Sequence, residues 1–141
     1  MMDMIQVIYG KKGSGKTKKI LDLANTLAAQ VKGNTVFIDD DQRYMYDLKY
    51  QVRFVNAGEY NIEDPKMFLG FLIGMMAKDF DLELLFVDGF LRIVNAQLKD
   101  LADFFAQLSK ASEQHNVRVI MSVSGSEEDR PAFLDEYLLK D

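Results

Sequence analysis

The chain contains no cysteine, so neither a disulfide framework nor a thiolate metal site is possible. Its one histidine, His115, falls late in a helical stretch and reads as a partner for the C-terminal helix dipole rather than as a ligand. Proline occurs only twice, at Pro65 and Pro131, both where a helix can begin, and no linker rich in Pro, Gly or Ser divides the chain. Positive charge is also scarce. Lysine and arginine total 17 against 22 acidic residues, a net charge of −5, and such a surface repels a phosphate backbone on average, so nucleic acid is not an expected partner. The longest apolar run, MFLGFLIGMMA (67–77), is too short to span a bilayer and predicts a buried core helix. The start, MMDMIQVIYG, has no basic segment, long apolar segment or cleavage site of a leader, and the expected compartment is the cytoplasm.

What is present fits one globular domain over residues 1–141. Hydrophobic residues make up 48% and charged residues 28%, enough for one continuous core. Short apolar runs alternate with helical periods, which predicts crossover units around a mainly parallel sheet. MIQVIY (4–9), TVFI (35–38), VRFV (52–55), LLFV (84–87) and VRVIMSV (117–123) are the expected strands. Ile20, Ala24, Leu27 and Val31 mark one helical face, with Gly33 as its stop. Asp64 and Pro65 suit the cap and first turn of a second helix, which is apolar on nearly every side and is expected to be covered on both. Its Gly70 and Gly74 should let it pack closely on the sheet. Leu98, Leu101, Phe105 and Leu108 predict a third helix, and Phe133, Leu134, Tyr137 and Leu138 a closing one. The expected fold class is therefore α/β, a three-layer sandwich with a mainly parallel sheet of about five strands.

Residues 10–17 read GKKGSGKT, a match to G-x-x-x-x-G-K-[ST] lying between a strand and a helix. Glycines in such a loop bring successive N–H groups near phosphate oxygens, and the helix N-terminus adds unpaired donors. Gly10, Lys11, Lys12, Gly13, Ser14, Gly15, Lys16, Thr17 and Lys18 are the candidate phosphate-binding residues. In that pattern Lys16 contacts the β- and γ-phosphates, and the Thr17 hydroxyl ligates Mg²⁺.

With this loop the sequence resembles the P-loop NTPase superfamily, and Gly13 gives it the form common in the RecA-like and related ATP-using branches. The resemblance is specific over residues 4–31 and rests on element order elsewhere. It implies a P-loop fold, with ATP and Mg²⁺ as cofactors. It also implies an apolar strand ending in an aspartate that holds the metal's water shell, and LLFVD supplies Asp88 as that second metal residue. Guanine recognition has no N-K-x-D signature here.

The ATPase branches commonly follow that aspartate with a glutamate that orients water. Here Gly89, Phe90 and Leu91 follow instead, so hydrolysis is expected to be weak or partner-dependent. Asp39, Asp40 and Asp41 follow the second strand, where some relatives place a catalytic carboxylate; Asp39 and Asp40 are the candidates, and a solvated turn is the plain alternative. Ser122 and Ser124 end the last strand, and one of them, Ser122, is expected to sense the γ-phosphate. Arg43, Arg53, Arg92 and Arg130 are possible phosphate sensors, or a protein partner or second copy supplies an arginine. Tyr9, Tyr44, Tyr46 and Phe90 can stack on a base, although packing explains each of them. The leading expectation is an ATP-binding switch or assembly component. The alternative is a small P-loop kinase that transfers the γ-phosphate to a small molecule.

Overall fold

The computed structural model describes residues 4–140; Met1–Asp3 and Asp141, part of the domain expected over 1–141, lie outside the described residues. Five strands form one sheet: β1 (Ile5–Gly10), β2 (Asn34–Asp39), β3 (Val52–Asn56), β4 (Leu82–Val87) and β5 (Arg118–Ser124). Their order is β1-β5-β4-β2-β3, and every pairing is parallel. Four helices connect them: α1 (Lys16–Ala28), α2 (Pro65–Lys78), α3 (Phe90–Val94) and α4 (Ala102–His115).

The order of the strands dictates the layers. The chain moves across the sheet in one direction from β1 to β2 to β3, then in the opposite direction from β3 to β4 to β5. Right-handed crossovers put connections of opposite direction on opposite faces. Accordingly α1 and the 40–51 connection pack with Ile8, Phe37, Leu84, Phe86 and Ile120 on one face. Helices α2, α3 and α4 pack with Val7, Ile38, Leu85, Val87 and Val119 on the other. Alternation along each strand divides its residues between these two cores, which explains why the strands read as continuous apolar runs.

Four expectations need correction. Helix α1 stops at Ala28, short of Val31 and Gly33. Leu98 lies in a separate 3₁₀ turn, Leu98–Asp100, before α4 begins. The closing helix is a 3₁₀ segment, Ala132–Tyr137, held by Leu134 and Tyr137 against the α4 layer. Helix α2 is covered on one side only: Phe68, Leu69, Leu72 and Met76 are buried, whereas Gly70 and Gly74 are exposed with open space beside them. Its outer side is apolar because glycine, alanine and methionine occupy it, not because anything packs there among the described residues. The Asp64 carboxylate accepts the Met67 N–H at 2.8 Å and caps this helix, as the sequence predicts.

Candidate functional site

Period-two alternation brings the polar site together. Gly10, Asp39, Asp88 and Ser122 each stand an even number of residues after an α1-facing residue: Ile8, Phe37, Phe86 and Ile120. All four therefore reach the α1 side of the sheet at the carboxyl ends of the strands. Ser124 is two residues beyond Ser122 and shares that face, so both serines line the cleft; only one had been expected there. Ile38 pairs with Val87, so Asp39 and Asp88 end neighbouring strands, and the Asp88 N–H donates to the Ile38 carbonyl at 2.9 Å. Connections from these two strands leave to opposite faces, and that switch is where open α/β sheets form their binding crevice.

A cleft of about 490 Å³ opens at this point, lined among others by Lys12, Gly13, Gly15, Lys16 and Thr17 of the loop and by Asp88, Ser122 and Arg92 opposite. The loop holds its shape through its own backbone. The Ser14 N–H donates to the Lys11 carbonyl at 3.1 Å, and Gly15 enters α1 at φ 88°, a left-handed conformation that favours glycine. The Lys16 ammonium donates to the Lys11 carbonyl at 2.8 Å. Burial pulls its pKa down, Asp88 pushes it back up, and the nearby Arg92 lowers it again. Thr17 Oγ1 donates to Asp88 Oδ2 at 3.1 Å, and the buried Ser122 hydroxyl donates to Asp88 Oδ1. A hydroxyl and a carboxylate held together at a helix N-terminus form an oxygen set of the kind that hard divalent cations take. These residues fit Mg²⁺.

The acidic stretch after β2 is not a solvated turn at its first residue. Asp39 is only 1% exposed, and its Oδ2 has no hydrogen-bond partner. Burial, reinforced by the Asp40 and Asp88 carboxylates, raises its pKa to about 8. Asp40 is tied to Arg92 through two contacts, Nε to Oδ2 at 2.7 Å and Nη2 to Oδ1 at 3.2 Å. Burial works against ionisation of Asp40, but the guanidinium outweighs it and holds that carboxyl below its usual range. Asp41 pairs with Arg43 at 3.2 Å.

The other expected residues are distributed unevenly. Lys18 points away from the cleft and pairs with Asp22 at 2.9 Å, because it lies on the outer side of α1. Lys11 contributes its carbonyl rather than a cleft-lining side chain. Arg130 is tied to Glu127 and Asp135, and Arg53 is exposed on β3. The Tyr9 hydroxyl donates to the Ser126 carbonyl at 2.7 Å, and Tyr46 is solvent-exposed. Phe90 is fully buried against Phe104 and Phe105, at ring distances of 5.1 and 5.8 Å, so it anchors α3. Arg43 and Tyr44 do reach the cleft. The sequence offers Arg43 and Arg92 among four candidate arginines without a choice between them, and nothing in the spacing identifies Asp40 as the partner of Arg92.

Gly89 is constrained twice. Its φ of 70° is left-handed, and a Cβ there would lie 2.7 Å from Arg92 Nη2 and 2.9 Å from Asp40 Oδ1. Gly89→Ala is expected to destabilise the fold by about 1–3 kcal/mol, from backbone strain plus displacement of that pair. Chemical denaturation of the two proteins checks this, and an unchanged midpoint would contradict it.

No family model matches the chain, and no curated protein matches it. Among solved structures it is similar to the flagellar accessory protein FlaH from Methanocaldococcus jannaschii, with a TM-score of 0.58 and 10% sequence identity. The alignment covers 92% of this chain and 64% of that one, so the chain spans less than two thirds of that protein's length. At this identity the likeness establishes the fold alone: a three-layer α/β domain around a parallel five-stranded sheet. Among the described residues no helix is long and apolar enough to cross a membrane.

Proposed function

We propose that the cleft binds ATP with Mg²⁺ and that the protein acts as a nucleotide-dependent switch or assembly component with weak or partner-dependent hydrolysis. The observation that carries this reading is the hydrogen-bonded set Thr17–Asp88–Ser122 facing the glycine loop and Lys16 across one cleft. The loop backbone and Lys16 would hold the phosphates, and Thr17 with Asp88 would hold the metal, which supplies charge neutralisation between phosphate oxygens.

Slow turnover follows from the carboxylates. Position 89 is glycine, and burial raises the pKa of Asp39 to about 8 in the metal-free cleft, so that carboxyl does not stand ready there as an ionised base. Asp40 is ionised but tied to Arg92. A partner, or a second copy, would then be needed for brisk hydrolysis. The kinase reading has one observation in its favour: a second cleft of about 380 Å³ beyond the Asp40–Arg92 pair, lined by Gly58, Asn61 and Glu63, where an acceptor can sit.

Calorimetric titration of ATP, ADP and GTP, with Mg²⁺ and with EDTA, tests the proposal. ATP is expected to bind, and Asp88→Asn to remove most of the Mg²⁺-dependent gain in affinity. A protein that takes up no nucleotide under any of these conditions ends the reading. Fast phosphate release by the isolated chain would refute the weak-hydrolysis part. Transfer of label to a metabolite mixture would move the conclusion to the kinase.

A further inference from the structure

Arg92 belongs to two places at once. It lines the phosphate cleft together with Lys16, Thr17 and Asp88, and it also lines the second cleft behind Asp40. Lys16 lines the same cleft, and the Arg92 charge reaches it and lowers its pKa, so the cleft carries two cations. Two cations held apart by a gap make a site for an anion, and binding one relieves their repulsion.

Its present partner is replaceable. The Arg92 side chain is 59% exposed, so the guanidinium stays open to an incoming anion while it holds Asp40 through two contacts. Two oxygens of a phosphate can likewise accept both guanidinium N–H bonds, with more charge than a carboxylate. Helix α3, which carries Arg92, is anchored by the buried Phe90, so the element that can respond is the exposed Arg92 side chain.

The pair also stands where a side chain at position 89 would project, as the close approach of Arg92 Nη2 and Asp40 Oδ1 to that position shows. This is the position at which a water-orienting carboxylate is missing. Asp40 Oδ1 occupies nearly that place, neutralised by Arg92.

Resting on the nucleotide reading of the cleft, we infer that Arg92 is a phosphate sensor acting within its own chain, exchanging Asp40 for the third phosphate of a bound nucleoside triphosphate. The exchange releases the Asp40 carboxylate from its ion pair and makes the cleft discriminate triphosphate from diphosphate. No arginine from another subunit is then required for recognition of the third phosphate.

The test compares affinities for a non-hydrolysable ATP analogue and for ADP, by calorimetry with Mg²⁺, in four proteins. In Arg92→Ala the analogue should bind about 10–100-fold more weakly and ADP within about twofold of wild type, the size of one lost charge-assisted contact. Arg92→Lys should recover part of the difference. Asp40→Asn should shift the ratio the other way, raising affinity for the analogue about 3–10-fold and leaving ADP unchanged, because the competitor for Arg92 is weakened. A merely structural ion pair would respond alike to loss of either partner. Equal effects on both nucleotides, or none, in Arg92→Ala would overturn the inference while leaving nucleotide binding intact. A wild type that binds neither nucleotide removes the nucleotide reading itself, and the inference with it.

Discussion

Lys16→Ala is expected to weaken ATP binding by about 100-fold or more while leaving the fold nearly as stable as before. The ammonium sits at the mouth of α1 and donates to the Lys11 carbonyl at 2.8 Å. Its charge is held in place by the loop and faces Asp88 and Arg92. A phosphate replaces a carbonyl by a full charge, and charge-assisted bonds of this type contribute roughly 1.5–3 kcal/mol each. Two such contacts account for the expected loss. Little stability should follow, because the residue is only half-buried and its hydrogen bond is to a carbonyl of its own loop. Calorimetry with Mg-ATP, alongside thermal melting, makes the check. Wild-type affinity in the variant would show that the loop does not grip phosphate through Lys16.

Asp39→Asn is expected to stabilise the protein at pH 8 and to flatten its dependence on pH. The native carboxyl has its pKa raised from 3.8 to about 8, with burial the first cause. A carboxyl raised on folding holds its proton in the native state while the unfolded chain has lost it. Stability is therefore greatest below pH 4 as far as this group is concerned, and it declines as pH climbs from there towards 8. Each pH unit in that window costs up to ~1.4 kcal/mol, several kcal/mol in sum. Asparagine keeps an oxygen for the Asp40 N–H, which Asp39 Oδ1 now accepts at 2.7 Å, and removes the ionisation. Denaturant unfolding from pH 5 to pH 9 in EDTA should show the wild type losing stability with rising pH and the variant losing less. Parallel curves for the two proteins would refute the buried-carboxyl account.

The two variants probe parts of the site that differ in how they can be seen in a sequence. The loop GKKGSGKT is contiguous, and its chemistry is set by local backbone freedom and by the helix that follows it. Asp88 is visible because an apolar run points at it. Ser122 and Ser124 are visible for the same reason, and simple alternation places both on one face. By contrast, the partner of Arg92 is invisible. Arg92 meets Asp40 across 52 residues, and that meeting requires β2 and β4 to be neighbours in the sheet. The left-handed turn at Gly89 and the short helix α3 leave no periodic trace either, since five residues are too few to show a helical repeat.

The misplaced helix readings have a common origin. Val31 and Leu98 continue an apolar period beyond the helix that begins or ends beside them, because neighbouring loops also bury apolar side chains. The outer side of α2 looked buried because Gly70, Gly74 and Ala77 score as apolar without offering surface that must be covered.

By itself the sequence determined the α/β class, the five strands, the glycine-rich loop between β1 and α1 and the aspartate that follows β4. Each of these is written in short-range order: residue type, alternation and the turn between strand and helix. Tertiary structure alone decided which carboxylates are charged and which cations are engaged. Burial of Asp39 and the side-by-side placement of β2 and β4 depend on strand order, and strand order is fixed by crossover handedness and core packing over the whole chain.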